Sequence, residues 1–288
     1  MQISMKKNTK LAHRARTLLR LIRPNDTLGR FHVLRWIGSY LVPKYRFKWP
    51  QMAWWDDPMF NEYLVKFNEI EGMNTDRRWM LYQLARLVKN IEGDSAECGV
   101  FDGVGSYILC KIIQADGGHS RAHHIFDSFE GLSTPAEIDG KHWKEGDLCC
   151  SLITVTENLS EFKNVHIHKG WIPQRFSDVE HNRFCFVHID VDLYQPTLDS
   201  IKFFYPRMNE GGLILCDDYG FTSCPGATKA INDFLQNKKE KMISLSGGGG
   251  FLIKGVETSA PLGSLPVTSA GQSDPAKATY ASVGSPRA

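Results

Sequence analysis

Short apolar strands alternate with helical segments from residue 77 to residue 255, and this alternation constrains the fold more than any other feature. Seven runs have strand length: 95–100, 123–127, 165–168, 184–189, 212–216, 242–245 and 251–254. Strands separated by helices predict a parallel sheet with right-handed crossovers. The last two runs are too close for a crossover and predict an antiparallel hairpin. The expected fold class is therefore α/β, with a mainly parallel seven-stranded sheet, helices on both faces and a C-terminal antiparallel hairpin.

Charge and composition divide the chain into three parts. Residues 1–70 are a basic, aromatic extension that we expect to be partly helical and to serve as a lid or an oligomer contact. Residues 71–255 are a single domain, and residues 256–288 are a Ser/Ala/Pro-rich tail that we expect to be disordered. Residues 1–48 carry a net charge of +11 within a chain of +2, so the remainder is acidic. Apolar residues recur at helical spacing within residues 11–22. Such a helix could make weak contact with an anionic membrane surface, or it could pack against the protein or a partner subunit. We expect no nucleic-acid partner, because no recognition motif accompanies the basic arm.

The chain has neither an apolar run of membrane-spanning length nor a signal-peptide pattern near its start. Its seven cysteines include no CxxC pair, which favours reduced thiols over a disulfide framework. These features predict a cytoplasmic protein.

A glycine-rich loop follows the first strand of the predicted sheet. Its spacing is E-x-G-x-x-x-G-x-G from Glu97 through Gly99 and Gly103, which differs from the dinucleotide-binding G-x-G-x-x-G. A second acid, Asp127, ends the next strand and would suit the paired hydroxyls of a ribose. Together these residues favour S-adenosylmethionine (SAM) over NAD, or over a turn that binds no cofactor.

Four aspartates follow two later strands: Asp190, Asp192, Asp217 and Asp218. Carboxylates crowded at one sheet edge repel each other, and a hard divalent cation, Mg²⁺ or Mn²⁺, would relieve that repulsion. Helix N-capping would explain one of them but not all four. The D-x-D of residues 190–192 also matches metal-dependent glycosyltransferases, so a sugar-nucleotide enzyme is the alternative function.

Several short segments together resemble the macrocin O-methyltransferase (TylF/MycF-type) family: 96–106, 125–132 (IFDSFEGL), 169–171 (KGW) and 187–219 with its IDVDLY and ILCDDY motifs. That resemblance implies a Rossmann-like class I methyltransferase fold, SAM as cofactor and a divalent metal ion. It also implies an O-methyltransferase of the EC 2.1.1 class that acts on a sugar hydroxyl of a glycosylated metabolite or surface polysaccharide. The family further implies a homo-oligomer.

The resemblance also assigns residues to roles. It implies that the cofactor contacts Glu97, Gly99, Gly103, Asp127, Ser128, Gly170 and Trp171. It implies that Asp190, Asp217 and Asp218 bind the metal ion and that Asp190 is the catalytic base. Asp192 is expected beside this set or as an alternate ligand, and His188 is as consistent with a core histidine as with a functional one. Because a metal ion binds best in a chelate, we expect the acceptor to be a vicinal diol.

Overall fold

The computed structural model describes residues 26–41, 57–69, 74–117 and 121–259. The chain separates into two compact units, Met1–Asp57 and Pro58–Ala288. In the first unit, helix α1 (Thr27–Leu41) is described, and the Gly29 amide donates a 2.7 Å hydrogen bond to the Asp26 carboxylate at its start. The helix predicted near residues 11–22 and the tail beyond residue 259 lie outside the described residues. None of the described helices is both long and apolar enough to cross a membrane.

The second unit alternates helices and strands as the sequence predicts. Its elements are α2 (Pro58–Lys66), α3 (Thr75–Ala85), β1 (Asp94–Cys98), α4 (Val104–Ala115), β2 (His123–Asp127), α5 (Leu152–Asn158), β3 (Val165–Lys169), β4 (Phe184–Ile189), α6 (Tyr194–Phe204), β5 (Met208–Cys216), α7 (Pro225–Leu235), β6 (Ile243–Ser244) and β7 (Gly250–Ile253).

The described strands form one seven-stranded sheet in the order β3-β2-β1-β4-β5-β7-β6. The first five are parallel, whereas β7 runs antiparallel to β5 and β6 antiparallel to β7. The predicted fold class and terminal hairpin are thereby confirmed. Strand order reverses between β1 and β4, and ligands of open α/β sheets bind in the crevice at the carboxyl ends beside such a reversal.

The centre of the core is β4, which is buried on both faces and is almost entirely apolar. All six residues of β4 are buried, including His188. Phe184, Val187 and Ile189 pack with residues of β1, β5 and α6 in one cluster. A strand buried on both faces is typical of the centre of a parallel sheet. The carboxyl end of β4 is therefore a rigid base for the residues that follow it.

Helix α2 begins at Pro58 and packs within the second unit. The Phe60 ring lies 5.0 Å from the Trp79 ring of α3, and Glu62 accepts a 3.1 Å hydrogen bond from the Tyr107 hydroxyl of α4. This helix falls in the segment 1–70 that we treated as an extension, yet it belongs to the same compact unit as the sheet.

A buried histidine links β1, β2 and α4. The two ring nitrogens of His123 lie 2.8 Å from the Ser95 and Ser106 hydroxyls. Burial, followed by the charges of His124 and His188, lowers the pKa of His123 to about 3. The folded protein thus holds this ring neutral at a pH where an unfolded chain protonates it, since an unperturbed histidine has a pKa of about 6.5.

We expect acid to destabilise the protein partly through His123. Because the folded-state pKa lies below the unfolded one, stability is full above about pH 6.5 and falls as pH decreases toward the folded-state pKa. Protonation of His123 in the unfolded chain should lower the free energy of unfolding by about 2 kcal/mol between pH 7 and pH 5. Urea unfolding of the wild type and His123→Gln at both pH values measures it. The variant should lose about 2 kcal/mol less than the wild type over this interval, and equal losses would contradict the prediction.

Candidate functional site

The loop after β1 is held against the end of β4. Gly99 has φ +76°, and a Cβ at this position would collide with the carbonyl oxygen of Asp190. The Gly99 amide donates to the Phe126 carbonyl at 2.9 Å, and the Asp190 amide donates to the Cys98 carbonyl at 2.8 Å. Glycine is required here because only it combines this backbone angle with so close an approach.

Glu97 lies beneath that loop, as expected from its place in the motif, but does not line the cavity described below. One carboxylate oxygen accepts a hydrogen bond from the Ser106 hydroxyl, and the other lies 2.8 Å from Nδ1 of His188. Gly103 has φ +90° and precedes α4, and it is also absent from the cavity wall. Direct contact of these two residues with a cofactor therefore stays a prediction.

Asp127 fixes the opposite side of the crevice at the end of β2. Its two carboxylate oxygens accept hydrogen bonds from the Val100 amide at 2.9 Å and the Phe129 amide at 2.7 Å. The carbonyl of the same residue accepts from the Gly170 amide at 2.9 Å, which ties down the segment after β3. Asp127 thus connects three strand ends and remains only half-buried.

A cavity of about 190 Å³ opens at these carboxyl ends. Five of the predicted cofactor residues line it: Gly99, Asp127, Ser128, Gly170 and Trp171. Asp190 and Asp192 line it as well. The structure therefore brings the glycine loop, the strand-end acid and two of the clustered aspartates to one cavity, which could hold a nucleoside beside an acidic centre.

The four aspartates form two neighbouring groups. Asp190 and Asp217 share the first group with His188, and ligand atoms of these three residues lie within 4.8 Å of one another. Asp192, Asp218 and Cys224 form the second. The predicted ligand set of Asp190, Asp217 and Asp218 is thus divided between the two.

The second group is deeply buried. One Asp218 oxygen accepts a 2.8 Å hydrogen bond from the Asp192 amide, and the Cys224 thiol donates to Asp192 at 3.4 Å. Burial, and then repulsion from Asp190, raises the pKa of Asp192 to about 7. Burial, and then repulsion from Asp192, also raises the pKa of Asp218. Ionisation of both carboxyl groups would leave negative charge here that a nearby cation has to balance.

Two arginines that our sequence analysis missed partly balance it. Arg77 donates to a carboxylate oxygen of Asp217, and Arg78 lies 4.0 Å from Asp190. Both belong to the first turn of α3, where the helix dipole disfavours basic side chains. That unfavourable placement is a signal in the sequence that favours an anionic group nearby.

The donors present suit a divalent cation. Four carboxylates and two guanidinium groups leave a net charge of −2 when all are ionised. In addition, Nε2 of His188 is buried without a hydrogen-bond partner in the part of the chain that the structure describes. An excess of carboxylates and an unsatisfied imidazole nitrogen are both features of metal sites.

The segment after β2 closes over this centre. Nε1 of Trp143 donates to the Cys224 sulfur at 3.3 Å, and Leu148 lines the cavity. His142 is exposed and stacks edge-on against Trp143. The same segment is also held through Asp139, whose carboxylate accepts a 2.6 Å hydrogen bond from the Tyr194 amide.

Several known proteins resemble this chain in sequence. Residues 78–246 match the family model described as macrocin-O-methyltransferase (TylF). The chain is 28% identical over 159 residues to the 8-demethyl-8-(2,3-dimethoxy-alpha-L-rhamnosyl)-tetracenomycin-C 4'-O-methyltransferase of Streptomyces olivaceus, which covers 51% of this chain and 60% of that protein. It is 28% identical over 156 residues to the mycinamicin III 3''-O-methyltransferase of Micromonospora griseorubida, which covers 50% and 61%. The chain thus spans about three fifths of the length of these relatives.

Solved structures share the fold. The calicheamicin methyltransferase CalS11 aligns with a TM-score of 0.58 and 17% identity over 83% of this chain and 97% of that one. The O-methyltransferase NovP aligns with a TM-score of 0.53 and 22% identity over 62% and 80%. At these identities the likeness establishes the architecture alone.

Proposed function

The chain belongs to the macrocin O-methyltransferase (TylF) family, and from this premise we propose that it methylates a sugar hydroxyl with SAM and a divalent metal ion. The observation that carries the proposal is the single cavity that Gly99, Asp127 and Asp190 line together. A cofactor held by Gly99 and Asp127 would then lie beside Asp190, which supports the proposal. The curated relatives named above act on a rhamnosyl group and on mycinamicin III, which supports a sugar on a larger metabolite as the acceptor.

The chain's own residues would position the cofactor. SAM, when bound, supplies the methyl group. The Asp127 carboxylate is fixed by two backbone amides and retains unused lone pairs, so it can accept hydrogen bonds from a ribose diol. Ser128 and Trp171 also line the cavity and would contact the adenine base. Preorganisation of this kind contributes to rate because methyl transfer requires donor and acceptor in line.

Asp190 would act on the acceptor. Its side chain is 23% exposed, whereas that of Asp217 is 5% exposed, so within the first group it is the carboxylate open to the cavity. A divalent cation, when bound, supplies positive charge that makes a nearby hydroxyl more acidic. Asp190 can then accept the proton as the oxygen attacks. A vicinal diol remains the proposed acceptor.

Calorimetric titration with S-adenosylhomocysteine (SAH) tests the proposed function. We expect micromolar binding of SAH and no binding of a UDP-sugar. Binding of the UDP-sugar in a metal-dependent manner, without SAH binding, would reject the methyltransferase and select the glycosyltransferase alternative.

We expect Asp127→Asn to weaken SAH binding about 10- to 100-fold, because a hydrogen bond to a charged acceptor contributes about 1.5–3 kcal/mol. The matched control is Asp147→Asn, since Asp147 also accepts a backbone hydrogen bond, from Lys144 at 2.8 Å, but lies outside the cavity wall. Thermal unfolding should show both variants folded. An Asp127→Asn protein that binds SAH as the wild type does would contradict this assignment.

A further inference from the structure

Helix α1 of the first unit has an exposed apolar face. Leu34, Ile37 and Leu41 recur at intervals of three and four residues and therefore lie on one side of the helix. Their side chains are 48%, 44% and 74% exposed, whereas Gly29 and Val33, one turn apart on another side, are buried. We call Leu34, Ile37 and Leu41 the apolar stripe of α1.

This concentration of exposed apolar side chains is unusual for a surface helix. A helix that packs on its own protein by one side normally directs polar side chains toward water. Five of the twelve large hydrophobic residues that are exposed in the described part of the chain lie instead in this 15-residue helix, among them Tyr40 at its C-terminal end. A contiguous exposed apolar surface is typical of a site that binds a protein or a membrane.

The charge around the stripe favours an anionic surface as its partner. Residues 27–49 contain five basic residues and no acidic residue. Arg30 is exposed one turn before Leu34 and on the same side of the helix. A symmetric contact between two copies of α1 would bring these like charges together, whereas anionic lipid head groups would neutralise them.

The length of α1 indicates how it would lie on a membrane. Fifteen residues of α-helix extend about 22 Å, which is shorter than the roughly 30 Å hydrocarbon core of a bilayer. The helix would therefore lie along the membrane surface, with the stripe below the head groups and the Arg30 guanidinium among them. Tyr40 suits the same boundary, because tyrosine is enriched at membrane–water interfaces.

We propose that the face of α1 formed by Arg30, Leu34, Ile37, Tyr40 and Leu41 binds the surface of an anionic lipid membrane. Apolar burial and electrostatic attraction contribute jointly to such binding, so it is reversible and weakened by salt. The proposal concerns the first unit alone and does not depend on the proposed methyltransferase function.

Cosedimentation of the full-length protein with lipid vesicles tests the partner. Vesicles of phosphatidylcholine with about 30% phosphatidylserine should bind the protein about tenfold more tightly than vesicles of phosphatidylcholine alone. Raising the salt concentration from about 0.1 M to about 0.5 M should weaken the binding to the anionic vesicles. Equal binding to both kinds of vesicle, or no binding to either, would overturn the proposal.

A triple variant tests the apolar stripe. Leu34→Gln, Ile37→Gln and Leu41→Gln together should weaken binding to the anionic vesicles about tenfold or more, because they remove the side chains that enter the membrane. The matched control makes the same change at three residues of the second unit that are similarly exposed: Val65, Leu87 and Ile153. This control should bind as the wild type does, and an equal loss in both triple variants would contradict a specific role of α1.

Arg30→Gln tests the charged part of the face and covers the case in which the triple variant fails to fold. It should weaken binding to the anionic vesicles about fivefold and leave binding to neutral vesicles unchanged. Lys202→Gln, at an exposed lysine of α6, is the control and should have no effect. Binding of Arg30→Gln equal to that of the wild type would remove the charge argument on which the choice of an anionic surface depends.

Sedimentation velocity of the same samples separates a membrane from a second copy of the chain as the partner. We expect the triple variant to have the oligomeric state of the wild type. A wild type that self-associates through α1 and does not bind vesicles, together with a triple variant that is monomeric, would overturn the proposal and identify the stripe as a contact between copies.

Discussion

Asp190→Asn should abolish methyl transfer to a sugar acceptor while leaving the affinity for SAH close to that of the wild type. The substitution preserves the shape of the side chain and removes its charge. It therefore removes both the proposed proton acceptor and one proposed metal ligand. Loss of a general base alone costs about 10²- to 10⁴-fold in rate, so we expect kcat to fall at least 1,000-fold.

The selectivity of this effect follows from how Asp190 is held. Its amide donates to the Cys98 carbonyl, so the backbone position is set by the sheet and not by the side chain. Turnover of a sugar substrate and SAH calorimetry measure the two properties separately. Asp199→Asn is the control, because Asp199 bonds only its helix neighbour Gln195 among the described contacts and lies outside the cavity wall. An Asp190→Asn enzyme with kcat within threefold of the wild type would exclude Asp190 as the base.

The sheet could be predicted because most of its strands are recognisable from their local sequence pattern. β2 and β4 begin and end where the sequence placed them, since an aspartate marks the end of each: Asp127 closes β2 and Asp190 directly follows β4. β5 begins at Met208, earlier than predicted, because Asn209, Glu210 and Gly211 interrupt the apolar run while the backbone still pairs. Hydrogen bonding between neighbouring strands therefore continues past the apolar residues from which the strand was predicted.

The acidic centre could be predicted only in part. Asp190 and Asp217 meet because β4 and β5 are adjacent and Ile189 pairs with Cys216, so topology alone brings them together. The contact from Arg77 depends on how α3 packs against the end of β5, and no local pattern encodes that packing. The division of the aspartates likewise arises from tertiary structure, since the Asp192 amide selects Asp218 as its acceptor.

The role of His188 could not be decided from its residue type and position in the sequence. A histidine within an apolar strand fits a core position, and the structure does bury it completely. What distinguishes it is the pair of neighbours, Glu97 on one nitrogen and Asp217 near the other. Glu97 comes from β1 and Asp217 follows β5, so three different strand ends must be assembled before the histidine has a defined chemistry.

Gly99→Ala should eliminate SAH binding and methyl transfer and should also destabilise the fold. The added methyl group would collide with the Asp190 carbonyl and approach Val191 Cγ1 to 3.1 Å. Neither backbone segment can move away freely, because the Gly99 amide is hydrogen-bonded to β2 and the Asp190 amide to β1. Left-handed backbone costs a non-glycine residue about 1–2 kcal/mol and overpacking about 1–3 kcal/mol more. We therefore expect a loss of about 2–5 kcal/mol in unfolding free energy.

Gly146→Ala separates the backbone cost from the collision. Gly146 has φ +80°, close to that of Gly99, but no atom of the described residues lies within 4 Å of a Cβ added there. Its substitution should therefore cost only about 1–2 kcal/mol and leave SAH binding unchanged. Urea unfolding and SAH calorimetry of both variants measure the difference. Equal effects of the two substitutions on stability and on SAH binding would contradict this prediction. The positive φ angle alone would then explain the requirement for glycine, and the close approach of the loop to β4 would not shape the cofactor site.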